Sequence, residues 1–156
     1  LATHPNPSSS HKSHQYLRTR VMTATPEQLQ MMLYDGAIRF TEAARSALDR
    51  RDLEAVFRNV TKAQAIVTEL LSGLRPAHGA DLCGRLAAEY RYVYRKLVEV
   101  GFQHRGESAD AAIDVLRNQR ETWALLLEKR GQEKADGRTR GMPSAPVVSA
   151  GLSIAA

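Results

Sequence analysis

TPEQLQMMLYDGAIRF, residues 25–40, opens like a helix and continues like one. Thr25 suits the N-cap, Pro26 the first helical position, and Gln28 completes a Thr-x-x-Gln capping box. At a helical period, Leu29, Met32, Leu33, Gly36, Ala37 and Phe40 fall on one stripe, which Ala43, Ala44 and Ala47 extend. Gly36 lies near the centre of that stripe. A helix-interior glycine costs about 1 kcal/mol relative to alanine, so its presence predicts close approach of a neighbouring helix backbone. A second apolar patch, Met31, Tyr34 and Ile38, spans about 60° on the other side and fades into Glu42 and Arg45. One stripe is enough to pack a helix into a small bundle. The second predicts a surface that something else covers.

The rest of the chain repeats the helical pattern three times. A second helix starts near Asp52 and places Leu53, Val56, Phe57, Val60, Ala63, Gln64, Val67, Leu70, Leu71 and Leu74 on one face, with Gly73 and Pro76 ending it. A third runs from about Asp81 to Phe102. Its arc is wide: Leu82, Leu86, Tyr90, Val93, Leu97 and Val100 form the centre, while Cys83, Ala87, Tyr94 and Val98 extend it past the needs of one interface. A fourth, from Ser108, presents Ala109, Ala112, Ile113, Leu116, Trp123 and Leu127, and Gly131 is expected to stop it. Four such helices with short connections predict an all-α, antiparallel four-helix bundle, preceded by a short helical segment around Tyr16–Arg20. Residues 16–130 form this bundle, 1–15 a disordered polar tail, and 131–156 a flexible basic tail rich in Gly, Pro, Ala and Ser.

Charge and composition narrow the function. The formal charge is +5, yet residues 16–128 carry sixteen Lys and Arg against fifteen Asp and Glu. The excess sits in the tail after residue 128 and in Lys12. No basic stripe crosses the bundle, so nucleic acid is not an expected partner. Cys83 is the single cysteine, which excludes an intrachain disulfide and fits a reducing compartment. The N-terminus LATHPNPSSSHKSHQ lacks the apolar run of a signal peptide, and no stretch reaches the roughly 20 apolar residues of a membrane span. The expected location is the bacterial cytosol, with no membrane insertion.

Catalytic and metal-binding patterns are missing. No Glu-x-x-His pair, glycine-rich phosphate loop, zinc spacing or nucleophile motif occurs, and His78 and His104 fall at helix ends. Neither catalysis, a metal nor a cofactor is expected. Arg120 is the one charged residue on the apolar stripe of the fourth helix. It reads either as a snorkelling side chain at the bundle edge or as an anchor for a partner's carboxylate.

Four blocks, in order, resemble the flagellar secretion chaperone family FliS. MTATPEQLQMMLYDGAIRF (22–40) resembles its first bundle helix, KAQAIVTEL (62–70) its Lys-Ala-Gln run, LAAEYRYVYRKLVE (86–99) its Tyr-x-Tyr segment, and VLRNQRETW (115–123) its Leu-Arg-x-x-Trp end. Tyr16 resembles the tyrosine of the family's N-terminal segment. Thr41, Glu89 and Val93 depart from the family's usual Leu, Leu and Met. The resemblance implies a non-catalytic cytoplasmic chaperone that binds the C-terminal segment of flagellin, prevents early polymerisation and escorts it to the type III export gate, itself a further partner. A regulatory adaptor of the same fold, binding another flagellar protein, is the alternative. On this reading the candidate flagellin-binding residues are Tyr16, Leu17, Val21, Met31, Tyr34, Ile38, Tyr94, Val98 and Arg120, in a monomer or weak homodimer. Residues 16–22 are expected to lie over part of the groove until flagellin displaces them.

Overall fold

The computed structural model describes residues 7–137 and contains helices α1 (Pro7–Thr23), α2 (Pro26–Asp49), α3 (Leu53–Ser72), α4 (Ala80–Gln103) and α5 (Gly106–Ala135). A single 3-10 turn, Pro76–His78, leads into α4, and there is no strand among the described residues. Expectations for residues 1–6 and 138–156 lie outside the described residues.

Helix boundaries follow local chemistry. At the start of α2, Gln28 N–H donates to Thr25 Oγ1 (3.2 Å) and Thr25 N–H donates to Gln28 Oε1 (3.0 Å), so both halves of the capping box form. Asp52 caps α3 by accepting the Ala55 N–H at 3.1 Å. Tight connections then reverse the chain: Arg51 (φ 56°) precedes that cap, and His104 (φ 53°) turns α4 into α5. Both hold left-handed backbone without being glycine, a conformation costing roughly 1–2 kcal/mol. Gly131 does not stop α5. It is exposed with open space where a Cβ would stand, so the helix runs through it to Ala135. The stop comes at Gly137, whose φ of 64° suits the residue after the C-cap Asp136.

Helices α2 to α5 pack in a ring, each against the next, with α5 returning to α2. Pairings across the ring run in opposite chain directions, as in Glu27 to Arg130 and Arg45 to Asp110, so neighbours are antiparallel. Leu33, Val56, Val67, Leu70, Val93, Leu97, Leu116 and Trp123 meet at the centre, each buried. Full burial of such aliphatic side chains contributes about 1.5–3 kcal/mol apiece.

Two expectations about the leading segment are corrected. The tail foreseen as disordered over residues 1–15 is helical from Pro7 onward. Nor does α1 cover a groove: residues 11–20 are all exposed, and only Val21 is half-buried near the turn into α2. With no apolar face, α1 has nothing to press against the bundle. Leu53, Phe57 and Leu82, placed by periodicity on core faces, are exposed as well.

Candidate binding groove

The second apolar patch of α2 has a simple origin. A bundle helix touches two neighbours, so its buried arc is wider than one stripe, and α2 packs on both α3 and α5. Met31 and Ile38 are half-buried against the core on the α5 side, and Tyr34 is completely buried. Tyr34 is therefore removed from the candidate contact surface: in this conformation no partner can reach it. Its hydroxyl lies 2.5 Å from that of Tyr90, joining α2 to α4 through the middle of the bundle. Burial pushes the Tyr34 hydroxyl pKa up, while the neighbouring Tyr90, Gln30 and Trp123 groups act in the opposite direction. Burial, then the Tyr34 oxygen, raise that of Tyr90 as well. Gln30 is buried beside them, and its Oε1 has no hydrogen-bond partner.

The outer edge of the same seam is closed by charge. Among the described residues, four ion pairs join α2 to α5: Glu27 with Arg130 (3.6 Å), Asp35 with Arg120, Glu42 with Arg117, and Asp110 with Arg45 (3.1 Å). Arg120 thus has an internal partner, and Asp35 holds its guanidinium above the usual arginine pKa. Of the two readings of Arg120, the edge residue fits and the anchor for an outside carboxylate does not. Exposed pairs of this kind contribute little each, about 0–1 kcal/mol. They do occupy the surface that a partner would need.

Across the ring, the α3–α4 seam is open. No ion pair bridges it among the described residues. A trough of about 400 Å3 is lined by Val67, Thr68 and Leu71 of α3 and by Tyr90, Arg91, Tyr94 and Arg95 of α4. The seam continues toward the other end of the bundle. A Cβ on Gly101 would sit 3.5 Å from Val60 Cγ1, so α3 and α4 are close there. Phe57 (68% exposed) and Phe102 (83% exposed) flank that end, with Leu53 beyond them. From Phe57 to Leu71 the seam runs about 21 Å along α3, the length of a helix of about four turns.

Of the candidate residues, Tyr94 (41% exposed) and the half-buried Val98 lie on this open seam, as the wide apolar arc of their helix implied. Met31, Ile38 and Arg120 belong to the closed α2–α5 seam. Tyr16 and Leu17 are exposed on α1, away from either. The structure adds Phe57, Leu53, Arg91 and Arg95. Phe57 was legible in principle, because it lies about 60° from Val60 toward α4, at the stripe's edge. The arginines carried no signal, since an exposed charge on a helix is the ordinary case.

The bundle thus has one seam laced by charge and, opposite it, a seam lined by apolar and aromatic side chains. Residues 9–130 match the model of the family described as "Flagellar protein FliS", and the chain belongs to that family. It is 29% identical over 119 residues to the flagellar secretion chaperone FliS of Bacillus subtilis, covering 76% of this chain and 88% of that protein. It is equally 29% identical over 114 residues to the Salmonella typhimurium flagellar secretion chaperone FliS, with 72% and 84% covered. A Pseudomonas aeruginosa protein, flagellar secretion chaperone FliSB, is 28% identical over 112 residues, with 72% and 81% covered. The family match begins at residue 9, so all but the first two residues of α1 fall within the shared region. Among the described residues, no helix is long and apolar enough to cross a membrane, and no cluster of His, Cys, Asp and Glu could hold a metal ion.

Proposed function

We propose that this chain is a non-catalytic cytoplasmic chaperone that holds the C-terminal segment of flagellin as an amphipathic helix in the α3–α4 groove, keeping it from polymerising and delivering it to the flagellar export apparatus. The observation that carries this reading is the contrast between the two seams. A solvent-exposed row containing Phe57, Tyr94 and Phe102 is a standing liability for a free protein. An apolar helix laid along it removes that liability and gains burial in return. Chaperone names in three bacterial relatives support the flagellar context.

Co-expression with the cognate flagellin followed by size exclusion tests the reading. The expected result is a stable one-to-one complex that is lost with Phe57→Asp/Tyr94→Asp. Both positions are exposed, so the variant keeps its helical content. If this variant elutes with flagellin as the wild type does, the α3–α4 groove is not the binding site. If the wild type fails to bind flagellin but captures another flagellar protein, the chain is an adaptor.

A further inference from the structure

The groove has a charge as well as a shape. Arg91 and Arg95 stand one helical turn apart on α4, both exposed, and both line the trough. Neither has a hydrogen-bond or ion-pair partner among the described residues. This is unusual for the arginines facing a seam here, since Arg45, Arg117, Arg120 and Arg130 are each matched with a carboxylate across α2–α5. No carboxylate faces Arg91 and Arg95 from the other wall. The α3 positions there are Val67, Thr68 and Leu71, and Glu69 lies about 180° from Val60 around the helix. On α4, Glu89 is two residues from Arg91, hence on another side of the helix. Glu99 is already taken by Lys96 (2.9 Å) and by the Ser108 hydroxyl of α5 (2.5 Å). The apolar floor is edged by two free guanidinium groups and by nothing of opposite sign.

We propose that Arg91 and Arg95 choose among helical segments able to fill the groove, favouring one with two side-chain carboxylates a turn apart beside its apolar face. This rests on the groove reading above and adds the chemistry of its occupant. Arginines at i and i+4 match carboxylates at i and i+4 on a helix lying alongside, because the two ladders share one repeat. Each guanidinium can receive a carboxylate through paired N–H donors, which fixes register along the groove as well as sign. An apolar trough alone would let a helix slide by a turn. The charged edge supplies the index mark, and it rejects a segment that presents lysines there.

The test is fluorescence anisotropy with the full-length chain. The probes are a labelled peptide spanning the C-terminal segment of the cognate flagellin, and the same peptide with its acidic i, i+4 pair changed to the amides. Against wild type, the amide peptide should bind about fivefold more weakly at low salt, the scale of two edge ion pairs. Against Arg91→Ala/Arg95→Ala, both peptides should bind alike and with a shallower salt dependence. Equal affinity of the two peptides for wild type, losses that simply multiply in the combined case, or a segment with no such acidic pair would each overturn the proposal. Phe57→Asp/Tyr94→Asp separates this from the groove reading. If it abolishes binding while the arginine variant changes nothing, the groove stands and the charged edge falls. If it leaves binding intact, both fall. Far-UV circular dichroism on each variant checks that the helices are retained.

Discussion

Replacing Gly36 with alanine should stabilise the protein slightly, and a single methyl group on α3 should decide by how much. The Cβ added at Gly36 would lie 3.0 Å from Ile66 Cδ1, the end of a half-buried side chain, and not against backbone. The sequence had suggested close approach of a helix backbone, but the neighbour is one movable methyl. Relief requires Cδ1 to shift by a few tenths of an ångström, against a gain of about 1 kcal/mol in helix propensity. Gly36→Ala is therefore expected to stabilise by about 0.5 kcal/mol. In an Ile66→Val background the offending methyl is gone, and the same change should recover nearly the full 1 kcal/mol, although Ile66→Val alone costs about 0.5–1.5 kcal/mol. The coupling, about 0.5 kcal/mol, is measurable by urea unfolding of all four variants followed by circular dichroism. Gly36→Leu has nowhere to go and should cost about 1–3 kcal/mol. A loss above about 2 kcal/mol for Gly36→Ala in both backgrounds would refute the role of Ile66 and restore a backbone contact.

Other perturbations follow from the seams and the core. Ile38→Asp should destabilise by about 2 kcal/mol or more, because Ile38 is packed between α2 and α5 and a carboxylate there loses water; an unchanged urea midpoint would return Ile38 to the surface. Tyr34 and Tyr90 have folded-state pKa values above the ordinary 10.0, so their contribution is complete below that pH and is lost as pH rises above it, while only the unfolded chain can release those protons. Alkaline unfolding should begin there, and Tyr34→Phe/Tyr90→Phe should flatten the slope; an unaltered profile would assign it to other groups. Deleting residues 1–22 should leave both the urea midpoint and the flagellin association rate unchanged, since residues 11–20 touch little of the bundle. A faster association on deletion would show that α1 visits the groove after all.

The bundle was legible because its four helices each carry an apolar period, and α2 and α3 also announce their starts by a side-chain cap. Thr25, Asp52 and Gly73 sit at the ends where their side chains or backbone are needed. Periodicity alone misjudges arc width. It made Tyr34 a surface residue, when a helix with two neighbours buries positions about 100° from the centre of its stripe. The same geometry works in reverse for Phe57, counted as core on the stripe's margin and found on the open seam. Tyr94 and Val98 extend the arc of their helix beyond its buried centre, and they are exposed and half-buried respectively. Gly131 illustrates a different limit. Glycine weakens a helix anywhere without by itself ending one, and the left-handed glycine just beyond α5 is Gly137. For α1, low apolar content is a poor guide, because a helix can persist without a face to bury.

The closed seam also has a temporal meaning. Its pairs join residues 65 apart (Arg45 to Asp110) and 85 apart (Asp35 to Arg120), whereas the α4–α5 hairpin is already linked at a separation of 9 by Glu99 and Ser108. Closing a loop about nine times longer costs roughly 2 kcal/mol more in chain entropy. The hairpins of consecutive helices should form early, and the first and last helices of the ring should meet after the transition state. Mutations in the lacing, such as Arg120→Ala, should then speed unfolding while leaving the refolding rate alone. On this order the ionic seam acts as a latch on a ring that closes last, each pair lengthening the folded lifetime by no more than its own small contribution, about 0–1 kcal/mol.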